Sequence, residues 1–267
     1  MEKLGLYLLG RFMDSADVFL LVFARLLAFV LILPVFSGNN INVWGKLSFA
    51  ASAAFLITVS GHVGNIVYVN TAPGFVLLIL REFLTGFIMG FMVYLAFSLV
   101  FFAGQLLDFQ IGFSMVSAFD PVTQIQVPII GNLFFLTLCA MLVWSGGLRV
   151  LLSVMFFSYD ALPIGGSVIL NNPVLTRTVL DLMTSFITVA VQAAMPIVGA
   201  IMIIDVAMGL LVKATPQMNV FVVGMPIKLL AGLALLYIMA PILSDIYNKV
   251  FDLAYTAAIG ALKAMAG

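Results

Sequence analysis

The sequence predicts an all-α, polytopic integral membrane protein, and three observations carry that prediction. Hydrophobic residues make up 64% of the 267 positions and charged residues only 8%, with a mean hydropathy of +1.25. A soluble domain is usually about a quarter charged, so this chain has too little polar surface to cover a globule in water. The apolar residues also gather in runs near the ~20 residues that cross a bilayer as helix. Those runs do not alternate over short segments, as the strands of a membrane barrel would.

Taken in order, the first long run covers roughly 18–36 and ends near Pro34, before the turn-forming "SGNNIN". A second covers about 47–60, and "GHVGNIVYVNTAPG" then breaks the pattern. The third, 75–107, is long and interrupted by Arg81 and Glu82. A fourth spans 127–144 before "SGG", and a short one, 148–157, precedes the turn-rich "YDALPIGGSVILNNP". The fifth is 178–212 and the sixth 220–243, leaving a mixed tail, 244–267, that reads as an amphipathic helix with Asp245, Lys249 and Asp252. The count is about six helical segments in one membrane domain over 1–267, with no linker. Several are expected to be broken. Pro196 sits inside the fifth run, and Pro226 and Pro241 flank the sixth, each removing a backbone donor. Broken helices survive in lipid only where protein or a lumen covers them. Gly86 and Gly90 form a small-xxx-small pair suited to close packing within the chain.

Composition excludes several functions. Eleven basic and eleven acidic residues balance, and no basic patch suggests nucleic acid. Cys139 is the sole cysteine, so no internal disulfide can form. The N-terminal "MEKLGLYLLGRFMDSADVF" mixes acidic residues after Lys3 and Arg11 and is a poor secretory signal, so it is expected to be retained. His62 is the single histidine, with no HExxH pattern and no second ligand for zinc. There is no P-loop, and "YD" at 159–160 lacks the Gly-x-Gly-Asp half of an intramembrane aspartyl protease. No catalytic residue, metal site or cofactor is expected. A secondary transporter with broken helices is the alternative, although the two halves show no convincing internal repeat.

Ionisable residues inside apolar runs are costly, so they pair or face water. Arg25, Arg81, Glu82 and Lys228 are of this kind. Asp205 and Lys213, eight residues apart, fall near one helical face and are candidates for buried charge pairing, within the chain or with a partner subunit, or for an ion relay.

The stretch 105–132, "QLLDFQIGFSMVSAFDPVTQIQVPIIGN", is apolar yet has neither helical nor strand periodicity, and it holds Asp108, Asp120, Pro121 and Pro128. Together with "FARLLAFVLILPVFSG" and "MIIDVAMGLLVKATPQMNVFVVGMPIKLLAGL" it resembles the FliR family of flagellar type III export-gate subunits, over nearly the whole chain and in the same order. The block "ATPQMNVFVVGMP", Ala214 to Pro226, is the most specific. Where family members often carry basic residues, "SGNNIN" has Asn39, Asn40 and Asn42.

The resemblance implies a non-enzymatic function. Such proteins assemble with FliP and FliQ into a closed helical cone, much of it above the bilayer plane. A FliP-like part would cover 1–177 and a FliQ-like part 178–267. FlhB packs outside, rod proteins attach at the exit, and exported flagellar proteins pass through the centre. The location implied is the bacterial inner membrane, in the flagellar basal body. The resemblance also implies that the loop after the third run enters the channel and helps plug it. The residues of that loop suit a plug. Phe109, Ile111, Phe113, Met115, Val116 and Phe119 are bulky and apolar, and Gly112 and the Asp120-Pro121 turn let the backbone leave the helix. A hydrophobic constriction of this kind excludes water and ions.

Overall fold

The computed structural model of the protein describes residues 16–37, 41–60, 63, 72–114, 128–166, 173–215, 217 and 219–266. Among these, helices follow one another without a strand: α1 Ala16–Ile32, α2 Pro34–Ser37, α3 Val43–Ser60, α4 Ala72–Ile111, α5 Ile129–Trp144, α6 Gly147–Ala161, α7 Pro173–Ala214 and α8 Val220–Ala266.

The all-α membrane fold is therefore observed, and among the described residues the expected count of six spans is not reproduced. Four helices, α3, α4, α7 and α8, are long and apolar enough to cross a membrane, and a fifth span arises if α5 and α6 are taken as one broken pair. The first run is split by Leu33, giving the 17-residue α1 and the short α2. The sixth run and the tail, expected as separate elements, join into the single 47-residue α8. Helix also continues through Pro196 in α7 and through Pro226 and Pro241 in α8. These prolines cost ladder hydrogen bonds without ending the helices, as membrane helices tolerate.

The chain forms two compact units. Unit 1 comprises 1–95, 146–183 and 253–267; unit 2 comprises 96–145 and 184–252.

In unit 1, α1 packs on α3. Of its eight buried residues, Leu21, Val22, Arg25, Leu26, Ala28 and Phe29 recur at the helical period and make one face, and Ala24 and Val30 extend the burial to either side of it. That face meets α4 at Gly86 and Gly90. A Cβ at Gly86 would lie 2.0 Å from the Arg25 carbonyl oxygen, and one at Gly90 would lie 3.0 Å from that of Phe29. The small-xxx-small pair thus serves packing within the chain. Helix α6 buries Leu151, Val154, Met155, Ser158 and Tyr159 on a single stripe. The end of α8 buries Ala254, Ala257, Ala258, Ala261 and Leu262; Asp245, Lys249 and Asp252, earlier on the same helix and part of unit 2, are exposed. Asn42 begins α3: its side-chain oxygen accepts the Trp44 N–H at 3.3 Å. Further along α3, Ser48, Ser52, Thr58 and Ser60 each donate to a carbonyl of their own helix, at 2.7–2.9 Å.

Unit 2 is built on the last third of α4 and on α5. Ala96, Val100, Ala103 and Leu107 of α4 are buried, as are Ile130, Phe134, Leu138 and Leu142 of α5. A Cβ at Gly104 would lie 2.4 Å from the Gly131 Cα, so the two helices meet backbone to backbone. The rings of Phe101 and Phe135 meet edge to face with centroids 6.4 Å apart.

Candidate functional site

Of the stretch 105–132, read as irregular from the sequence, residues 105–111 continue α4, 113–114 are helical and 129–132 begin α5, all in unit 2, while 115–127 lie outside the described residues. Helix α5 is preceded by Pro128, which offers no capping side chain. Its first N–H groups have no partner within the helix, and burying them unpaired is costly. Asp108 of α4 meets that need. It is 2% exposed, and its carboxylate accepts the Ile130 N–H at 3.0 and 3.1 Å and the Gly131 N–H at 3.0 Å. A carboxylate at a helix N-terminus is favoured further by the helix dipole and by charge-assisted hydrogen bonding.

Beyond Asp108 the residues divide by role. Gly112 N–H donates to the Asp108 carbonyl at 3.1 Å and closes the last turn of α4. Its φ of +99° is left-handed, and nothing lies within 4 Å of where a Cβ would stand. Glycine is required there by backbone conformation and not by crowding. Ile111 is buried and fills the space left by Gly232 of α8, whose Cβ would lie 2.6 Å from the Ile111 Cδ1. Phe109 points outward, 76% exposed, and Phe113 is half-buried. The expected plug residues Met115, Val116 and Phe119 lie outside the described residues.

The intramembrane charges find partners that spacing alone did not give. Asp205 forms its ion pair with Lys228 of α8, and the Gln110 side-chain amide donates to it at 3.3 Å. The expected pairing of Asp205 with Lys213 is not the one formed. Lys213 is exposed in the last turn of α7, where a cation complements the free carbonyl ends. In unit 1 Arg25 is fully buried, and every arm of its guanidinium is used. Nε donates to Glu82 at 2.6 Å, Nη1 to the Ser158 hydroxyl and carbonyl at 3.0 and 3.1 Å, and Nη2 to the Leu162 carbonyl at 3.0 Å. The guanidinium also stacks 4.3 Å from the centroid of the Tyr159 ring.

Sequence reasoning found these charges and missed their partners. Arg25 and Glu82 are 57 positions apart, and Asp108 caps a helix 22 positions downstream. The only available signal was the cost of leaving such groups unpaired in apolar runs. Among the described residues no three His, Cys, Asp or Glu side chains gather to hold a metal ion. Asp108 satisfies the start of α5, Arg25 reaches carbonyls at the end of α6, and Asp205 and Lys228 satisfy each other's charge.

Helices this long and apolar, with polar groups used to tie them together, define a polytopic helical membrane protein. Residues 16–254 match the family described as bacterial export proteins, family 1, and the chain belongs to that family. Among similar proteins is the flagellar biosynthetic protein FliR of Bacillus subtilis, 25% identical over 246 residues, covering 92% of this chain and 94% of the relative. FliR of Escherichia coli is 28% identical over 238 residues, covering 86% and 88%. The secretion system apparatus protein SsaT of Salmonella typhimurium is 31% identical over 170 residues, covering 61% and 63%.

Proposed function

We propose that the chain is a non-catalytic subunit of the flagellar type III protein export gate in the bacterial inner membrane, at the flagellar basal body. It helps form and plug the channel through which flagellar proteins leave the cell. The observation that carries this reading is the family match over 16–254, with FliR proteins similar along nearly the full chain.

The structure supports it through what the fold leaves uncovered. In the most apolar stretches of α7 and α8 only 17% and 11% of residues are buried, against 50% in α4. At 1.5 Å per residue the 47 residues of α8 extend about 70 Å, more than twice the ~30 Å hydrocarbon thickness. Apolar helix that extends beyond the hydrocarbon thickness is not covered by lipid, which favours other subunits as its cover. FliP and FliQ are the proposed neighbours in the wall, with 1–177 as the FliP-like part and 178–267 as the FliQ-like part. FlhB lies outside, rod proteins attach at the exit, and exported flagellar proteins pass through.

The plug is assigned to the stretch that begins at the end of α4. Phe109 and Phe113, with Met115, Val116 and Phe119, supply apolar bulk; Ile111 anchors the helix end, and Gly112 is the turning point. Affinity purification from the native membrane in mild detergent, with partners identified by mass, tests the assembly. Recovery with FliP and FliQ is expected. A monodisperse, long-lived monomer that supports solute flux would overturn the reading in favour of a transporter. Replacing Phe113, Met115 and Phe119 together by Gly is expected to leave the complex assembled and make it leak ions. A complex as tight as wild type would remove the plug role from these residues.

A further inference from the structure

Helix α4 carries three charged side chains, and two are already engaged: Glu82 pairs with Arg25, and Asp108 caps α5. The third, Arg81, is exposed, and among the described residues its guanidinium has no ion pair and no hydrogen bond. On the adjoining flank Leu77, Leu80, Phe87 and Phe91 face outward, and the Phe87 and Phe91 rings stack with centroids 6.2 Å apart. A bare guanidinium beside apolar surface is costly unless it reaches water or an anion.

Its height follows from unit 1. The carbonyls of Arg25 and Phe29 lie against Gly86 and Gly90, so α1 and α4 run in the same direction and Leu20 stands level with Arg81. Phe36, just past α1, meets Phe49 of α3 with ring centroids 5.1 Å apart, so α3 runs back along α1. At 1.5 Å per residue the 17 residues of α1 and the 18 of α3 rise about 26 and 27 Å, near the ~30 Å of a hydrocarbon core. Trp44 and Lys46 mark one end of this pair, Asp17 and Ser60 the other. Arg81 belongs to the second end. Past Glu82, α4 has no charge until Asp108, and its exposed side chains from Phe83 to Phe91 are all aromatic. A cation at the edge of the bilayer with apolar surface running inward from it fits a headgroup and its chains better than a single carboxylate of a partner subunit.

We propose that Arg81 is a phospholipid-binding site. Its planar fork takes the phosphate of an anionic lipid at the membrane face where α1 begins, and the acyl chains lie along Leu80, Phe87 and Phe91. The assignment stands on unit 1 and does not depend on the plug or on the neighbours proposed above.

The test uses the protein extracted from native membranes in mild detergent, with the subunits that accompany it, then stripped of lipid. Dioleoylphosphatidylglycerol is titrated in while native mass spectrometry reads bound lipid. Arg81→Gln is expected to weaken the tightest site about fivefold, the equivalent of about 1 kcal/mol. Arg81→Lys keeps the charge and loses the fork, so it should weaken the site less. In otherwise wild-type protein, p-benzoylphenylalanine at position 87 is expected to cross-link to lipid. Unchanged affinity in Arg81→Gln overturns the site. So does a cross-link from position 87 to protein in place of lipid, which would set a partner subunit on this flank. Should the Gln variant be lost from the membrane, the cross-link, which leaves Arg81 intact, decides alone.

Discussion

Arg25 and Glu82 in unit 1 are sealed, with side-chain exposures of 0% and 5%, whereas Lys228 and Asp205 in unit 2 keep 26% and 38%. Both pairs face the same problem, a charge inside an apolar helix, and they solve it differently. Sealing an ion pair is favourable only when the remaining donors are matched, because desolvation can exceed the Coulomb attraction. Arg25 meets that condition with two further carbonyls, a hydroxyl and an aromatic ring. Lysine could not replace it, since one ammonium cannot reach acceptors spread around a planar fork. Lys228 and Asp205 avoid most of the desolvation by remaining partly open. The difference teaches that the first pair is a fixed part of its unit's core, while the second is an exchangeable contact.

The largest effect that would break this contrast comes from Arg25→Met. It leaves Glu82 buried without its cation and should cost about 3–5 kcal/mol, seen as loss of protein from the membrane and a lower unfolding temperature in detergent. Adding Glu82→Leu should restore much of that stability. If the double variant is no better than the single one, hydrogen bonding to Ser158 and Leu162 matters more than the ion pair.

A backbone-side attack on the same node is Gly86→Ala, which forces α4 away from the Arg25 carbonyl. A cost of about 1–3 kcal/mol is expected by thermal unfolding. Gly90→Ala, with the looser 3.0 Å approach, should cost less. Equal effects would show that the two positions do not differ in crowding as the geometry says.

The smallest effects belong to unit 2. Asp205→Ala or Lys228→Ala should shift stability by no more than about 1 kcal/mol, and exchanging the two charges should restore that stability. Lys213→Ala should change stability by only about 0.3–1 kcal/mol, through the helix terminus alone. A large loss on Asp205→Ala that the exchange does not rescue would place Asp205 against a partner subunit and end its description as an exchangeable contact.

Helix as the building material was legible because hydropathy and run length are local properties. The joining of the sixth run to the tail was not, because Pro241 and the charges at Asp245 and Lys249 mimic a helix end, whereas packing of the Ala254–Ala258–Ala261 face carries the helix onward. At the candidate site, the exit from α4 could be read from Gly112. Asp108 could be read as an anomaly but not as a cap, because its partners are backbone N–H groups and carry no side-chain signature. Asp205 was matched to Lys213 by helical spacing, and a residue on another helix took the contact instead.

The hydroxyls of α3 bear on how the chain is made. Ser48, Ser52, Thr58 and Ser60 turn their protons onto carbonyls of the same helix, so these groups satisfy one another before any neighbouring helix arrives. During synthesis a segment leaving the translocon meets lipid before it meets the rest of its fold. A serine that needed water or a partner would hold such a segment back at that step. With its hydroxyls already occupied, α3 can partition as a greasy rod despite its polar letters, and its pairing with α1 can follow within the bilayer.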